Sequence, residues 1–153
     1  MSMSGTCRMI LLAEDNPDDV ALTRRALSKA KVANELAVVS NGQEALDYLF
    51  GEGAYSDSKP PSPCLVLLDL NMPKIGGLEV LKRIRADERT CLIPTVILTT
   101  SKEERDLVAG YSLGANSYIR KPVDFAQFAD AIQQLGMYWL VLNEAPPMDG
   151  DHA

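Results

Sequence analysis

The chain has 153 residues, one domain's worth, and can bury a core without disulfide or metal staples. Apolar residues make up 46% and charged residues 24%, a globular composition and not a disordered one. Lys plus Arg is 15 and Asp plus Glu is 21; the resulting charge of −6 disfavours nucleic acid or an anionic membrane as the main partner.

Residues 1–8 are small and polar and read as a flexible tail. Met9 to Ala13 is a continuous apolar run bounded by acids, the pattern of a strand buried on both faces. It is short for a signal-peptide core and meets Glu14 and Asp15 at once. Asn16 and Pro17 then open a helix to about Ala30, with Val20, Leu22 and Leu27 among its apolar positions. Glu35 to Ser40 reads as a second strand, and Asn41 opens a helix reaching Phe50. Gly51 to Pro63, rich in Gly, Pro and Ser, reads as a surface loop.

Leu65 to Leu68 is the third strand and ends in Asp69. Pro73 and Gly76-Gly77 make a turn before a helix carrying Leu78, Val80, Leu81 and Ile84. Thr95 to Leu98 is the fourth strand. Ser101 caps a helix with Glu103 and Glu104 in its first turn, which Gly114 stops. Asn116 to Ile119 is the fifth strand. Asp124 starts a last helix reaching roughly Asn143, and residues 144–153 read as a second tail. Strand and helix alternate five times, which predicts an α/β doubly wound parallel sheet with one domain over residues 9–143.

Ligands of such sheets bind beyond the carboxyl ends of the strands. The first strand delivers Glu14 and Asp15 there, the third Asp69, the fourth Thr99 and the fifth Lys121. Each residue alone is unremarkable: acids after strands form turns, and a lysine is usually a surface lysine. Their convergence on one sheet edge is what points to function. Packed carboxylates repel and raise one another's pKa unless a cation neutralises them. Mg²⁺ suits a small acid cluster with waters and a phosphate oxygen. Lys121 supplies a second positive charge and Thr99 a hydroxyl, a set able to stabilise a phosphoryl group on a carboxylate.

These residues carry a resemblance. The acid pair, Asp69 followed by Asn71-Met72-Pro73 and Gly76-Gly77, then Thr99 and Lys121-Pro122, resemble in order the receiver domain of bacterial two-component response regulators. The resemblance spans about Met9 to Leu142 and implies the flavodoxin-like (βα)5 fold with strand order 2-1-3-4-5, an order the doubly wound class is known for. It implies that Asp69 is the phosphate acceptor. It likewise implies that Asp15, Asp69 and the Asn71 backbone carbonyl hold Mg²⁺, with Glu14 acting through water. Lys121 then binds phosphate, Lys121-Pro122 is a cis peptide, and Thr99 with Tyr118 forms the switch pair. Thr100 departs from the small alanine more usual after the switch threonine, which bears on phosphate lifetime.

Tyr48-Leu49, Gly53 with Tyr55, the stretch from Lys59 to Pro63, and Tyr138-Trp139 resemble more narrowly the phytochrome-associated response regulators, single-domain proteins phosphorylated by light-sensing histidine kinases. The implied partner is a sensor histidine kinase, with a phosphotransfer protein downstream as one route of output. The short chain leaves no room for a DNA-binding output domain after residue 143. The expected protein is a signalling domain, not an enzyme, limited to self-phosphotransfer and self-dephosphorylation.

Phe125, Phe128, Ile132, Leu135, Trp139 and Leu142 fall on one helical stripe, and Met137, Tyr138, Leu140 and Val141 add apolar surface off it. Such a surface predicts a homodimer through the C-terminal helix region.

Two other functions compete. A haloacid-dehalogenase-type phosphatase would use Asp69 as nucleophile but wants a second acid two residues on, where Asn71 stands. A flavin module would need a glycine-rich phosphate loop in place of Glu14-Asp15. His152, beside the chain end, argues against a catalytic triad or a histidine zinc site. Cys7, Cys64 and Cys91 are odd in number and scattered, and read as free thiols in a reducing compartment. No apolar run approaches the roughly 18 residues that span a bilayer. The expected location is the cytoplasm.

Overall fold

The computed structural model describes residues 9–29, 35–70, 72–100 and 112–134. In chain order the elements are β1 (Met9–Ala13), α1 (Pro17–Lys29), β2 (Glu35–Val39), α2 (Gly42–Phe50), β3 (Leu65–Asp69), α3 (Gly77–Ala86), β4 (Thr95–Thr99), β5 (Ser117–Arg120) and α4 (Phe125–Gln134). The helix expected from Ser101 lies outside the described residues, as do both tails and the last helix beyond Gln134. The strands form one parallel sheet in the order β2-β1-β3-β4-β5, as the alternating pattern required.

The central strands β1, β3 and β4 are buried almost throughout, which is why they read as unbroken apolar runs. Alternate residues serve opposite faces. Ile10, Leu12, Leu65, Leu67, Val96 and Leu98 pack with Ala26 and Leu27 of α1 and Phe128 and Ala131 of α4. Leu11, Val66, Leu68 and Ile97 pack with Leu46 and Leu49 of α2 and with Val80, Leu81 and Ile84 of α3. Edge strand β2 is mostly half-buried, and its residues alternate less sharply.

Helix starts follow cap chemistry. Asn16 Oδ1 accepts from the backbone N–H groups of Asp18 (2.8 Å) and Asp19 (3.2 Å). Asn41 caps α2, its Oδ1 accepting from Glu44 N at 2.8 Å, while Glu44 Oε1 reaches back one residue beyond the cap and accepts from Ser40 N at 2.8 Å. Gly51 ends α2 in the left-handed region at φ 68°. Asp124 Oδ1 accepts from Gln127 N (2.9 Å) and opens α4.

Arg85 ties the opposite sheet edge together. Its guanidinium donates to the carbonyls of Gly114 (3.0 Å), Cys91 (3.2 Å) and Ile93 (2.9 Å) and to Asn116 Oδ1 (2.8 Å). Asn116 Oδ1 also accepts from Thr95 N at 2.8 Å, so one side chain joins the end of α3 to the starts of β4 and β5.

Two expectations, those for Cys64 and Gly77, need correction. Cys64 is disulfide-bonded, its partner outside the described residues, while Cys91 is a free thiol; scattered spacing hides a pairing that only the fold brings about. The loop after α2 contains a 3₁₀ turn at Gly53–Tyr55, and Tyr55 meets Tyr48 edge-on with ring centroids 5.3 Å apart. Phe125 shares the predicted stripe with Phe128 and is 42% exposed at the start of α4, whereas Phe128 is fully buried. Gly77 belongs to α3, not to the turn before it.

That glycine positions the strand end next to it. A Cβ on Gly77 would collide with the Asp69 backbone carbonyl, whereas one on Gly76 would meet only the Leu70 carbonyl at 3.7 Å, an ordinary contact. Gly77→Ala is therefore expected to cost about 1–3 kcal/mol in urea unfolding, with Gly76→Ala within about 1 kcal/mol of wild type.

Candidate functional site

Four strands end at the same edge, and their carboxyl ends carry the polar residues. Glu14 follows β1 and extends its pairing, donating its backbone N–H to the Val39 carbonyl at 2.9 Å. Its side chain is buried, and Glu14 Oε2 accepts from Asn16 N at 3.2 Å. Asp15 is exposed beside it. Asp69 closes β3 and is 3% exposed. Thr99 closes β4, also buried, and lies one residue beyond Leu98, the register partner of Asp69. Lys121 follows β5; its backbone N–H donates to the Thr99 carbonyl at 2.9 Å, and the Lys121-Pro122 peptide is cis.

The ammonium of Lys121 meets three carboxylates. Nζ lies 2.7 Å from Glu14 Oε1, 3.0 Å from Asp69 Oδ1 and 3.1 Å from Asp19 Oδ2. Burial alone would lower the pKa of Lys121, but the hydrogen bonds and charges of Glu14, Asp69 and Asp19 outweigh it and raise the pKa. The Glu14 carboxyl is pushed up, chiefly by burial and further by the Asp69 charge, with Lys121 and the Asn16 amide pulling it back.

Glu14, Asp15 and Asp69 each turn a carboxylate oxygen to a common point, these atoms lying within 4.8 Å of one another. The set is all hard oxygen, which suits a divalent cation such as Mg²⁺, Mn²⁺ or Ca²⁺ and not a thiolate- or imidazole-seeking metal. A second observation agrees. Glu14 Oε1 is buried, pairs with Lys121 through charge, and has no aligned hydrogen-bond donor. A cation here would satisfy that oxygen and offset the mutual repulsion of the acids.

The other expected residues stand as follows. Tyr118 is half-buried on β5, opposite Ile97 in the register. Thr99, two residues past Ile97, shares the sheet face of Tyr118. Thr100 is exposed, and Asn71 lies outside the described residues. The sequence reading passes over Asp19. An acid in the first turn of a helix is already accounted for by the helix dipole, so nothing in the chain marks it as reaching a lysine 102 positions away.

With that geometry in place, the comparisons decide the family. The family model described as the response regulator receiver domain matches residues 10–133. The chain belongs to this family. Response regulator Rcp1 of Synechocystis sp. is 37% identical over 133 residues, which cover 87% of this chain and 89% of Rcp1. The solved structure of the bacteriophytochrome response regulator AtBRR is 51% identical at a TM-score of 0.80, covering 90% of this chain and 99% of that one. A Mn²⁺-bound form of Rcp1 is 36% identical at a TM-score of 0.73, covering 91% of this chain and 98% of that one. This receiver is thus a two-component signalling domain close to the phytochrome response regulators, and the comparisons lend no support to the phosphatase alternative. Among the described residues, no helix is long and apolar enough to cross a membrane.

Lys121 is the counter-charge of this receiver's acid cluster. Lys121→Met is expected to lower stability by about 3 kcal/mol, because it strands buried carboxylates. Added MgCl₂ is expected to recover part of that loss, as read by urea unfolding with and without EDTA.

Proposed function

We propose that Asp69 is the phosphoryl acceptor of a single receiver domain over residues 9–143, with Mg²⁺ as its metal and a sensor histidine kinase as its donor. The observation that carries this reading is the Asp69 carboxylate, buried at a strand end, 3.0 Å from the Lys121 ammonium and within the three-acid cluster. An Asp69 oxygen attacks the phosphorus of a phosphohistidine. The P–N bond breaks, its electron pair stays on the imidazole nitrogen, and an acyl phosphate forms. Lys121 holds the phosphoryl oxygens as charge builds on them. Glu14, acting through water, Asp15, Asp69 and the Asn71 carbonyl would hold Mg²⁺, which supplies charge neutralisation at the phosphoryl oxygens. The Mn²⁺-bound form of Rcp1 supports a divalent ion in this cluster.

Thr99 then turns its hydroxyl to the phosphoryl group and Tyr118 follows inward, a two-state element biased by one new charge. Their shared sheet face supports this coupling. The relatives named for bacteriophytochromes support a phytochrome kinase as donor, and a phosphotransfer protein is a route onward. The chain acts in this reading as a switch whose only chemistry is its own phosphorylation and dephosphorylation, in the cytoplasm where a kinase holds its phosphohistidine. The paired Cys64 removes the thiol argument for that compartment, so the location rests on the kinase.

The test is intact mass after incubation with Mg²⁺ and acetyl phosphate. Wild type is expected to gain a phosphoryl mass, lost on alkali treatment; Asp69→Asn and wild type in EDTA are expected to gain none. Label on Asp69→Asn equal to wild type would move the acceptor elsewhere.

We further propose that the receiver forms a homodimer through the C-terminal helix region, from the apolar density of Leu135 to Leu142, which lies outside the described residues. The loop after α2 engages Tyr48 on the α2 side of the sheet, whereas Phe128 of α4 packs on the other face, so that contact leaves the α4 side available to a second copy. Light scattering is expected to show a dimer for wild type and a monomer for Trp139→Glu.

A further inference from the structure

Lys121 has three N–H donors, and three carboxylate oxygens lie within 3.1 Å of Nζ. Its charge is met by carboxylates before any phosphoryl group arrives, even though Glu14 Oε1 contacts it without an aligned hydrogen bond. Phosphorylation of Asp69 would turn its carboxylate into an acyl phosphate and bring new anionic oxygens to the same ammonium, where they compete with Glu14 and Asp19, so one of these two gives way. The exposures choose which. The Glu14 side chain is 1% exposed and could not regain water, while that of Asp19 is 23% exposed and can.

Asp19 is not a wandering surface acid. Its backbone N–H is held by the Asn16 cap at 3.2 Å, and its carbonyl accepts from Thr23 Oγ1 at 2.9 Å, with Thr23 itself fully buried. The carboxylate thus reaches Lys121 from a fixed base on α1, across the junction between α1 and the turn after β5. Asp19 also lies outside the three-acid group suited to a metal, so its contact with Lys121 is a separate role.

We infer that Asp19 is a positioning residue that holds Lys121 while Asp69 is unphosphorylated and yields it to the phosphoryl group, so that it sets how tightly the acceptor site takes a phosphoryl ligand. The inference rests on Asp69 being the acceptor. It predicts that weakening the Asp19 contact makes the site bind a phosphoryl mimic more tightly, by releasing a donor that would otherwise have to be won back.

The probe is beryllofluoride, a tetrahedral phosphoryl mimic, titrated into the full chain at fixed Mg²⁺ and followed by ¹⁹F NMR. Asp19→Asn is expected to lower the half-saturating concentration about fivefold, the scale of one partly exposed ion pair. Asp18→Asn removes the same charge from the same turn without touching Lys121 and is expected to leave it unchanged. In a Lys121→Met background the effect of Asp19→Asn is expected to vanish. An unchanged or weaker Asp19→Asn overturns the inference, as does an equal gain in Asp18→Asn or a gain that survives without Lys121. If wild type takes neither beryllofluoride nor a phosphoryl group from acetyl phosphate, the acceptor reading fails and this inference falls with it; if wild type takes both, a null Asp19 result falls on the inference alone.

Discussion

One ammonium group holds the business end of this receiver together. Lys121 sits against Glu14, Asp19 and Asp69 at distances of 2.7 to 3.1 Å, and two of those acids are almost wholly out of water. Without a cation, such a group of carboxylates would push the strand ends apart or take up protons. The sheet order follows the same constraint. β3 lies between β1 and β4, so Asp69 is flanked by the acid pair on one side and by Thr99 on the other, and β5 brings Lys121 in from the edge.

The architecture makes this cluster affordable because it separates stability from switching. The apolar layers on both sheet faces hold α1 and α4 on one side and α2 and α3 on the other. Repulsive charge is confined to the residues at and just after the strand ends, with Asp19 reaching them from the first turn of α1. A change in charge at Asp69 therefore acts on side chains at a rim, with a packed interior behind them that resists deformation. Gly77 extends that interior to the rim, since the first turn of α3 rests against the backbone of Asp69 itself.

The fold was legible because buried parallel strands leave an unmistakable trace: Leu11-Leu12, Val66-Leu67-Leu68 and Val96-Ile97-Leu98 are apolar on both parities. Acids, Thr99 and Lys121 at the ends of those runs marked the site because strand direction alone sends them to one edge. What escaped was what depends on distance in space and not on pattern. Asp19 looks like any acid at a helix start, Cys64 like a scattered thiol, and Thr23 like a surface polar residue although it is fully buried and bonded to the Asp19 carbonyl. Phe125 and Phe128 fit one stripe on paper, yet only the second is inside, since a stripe says nothing of where a helix leaves its sheet.

The two ends of the sheet are fastened by different kinds of chemistry. At the carboxyl ends a cation is held by carboxylates, and acid, metal or phosphate can all rewrite those bonds. At the other end Arg85 is held by three carbonyl oxygens and one amide oxygen, groups that neither gain nor lose a proton. Acid and metal have no acceptor to rewrite there, so the domain has a foot set apart from the chemistry of its responsive rim.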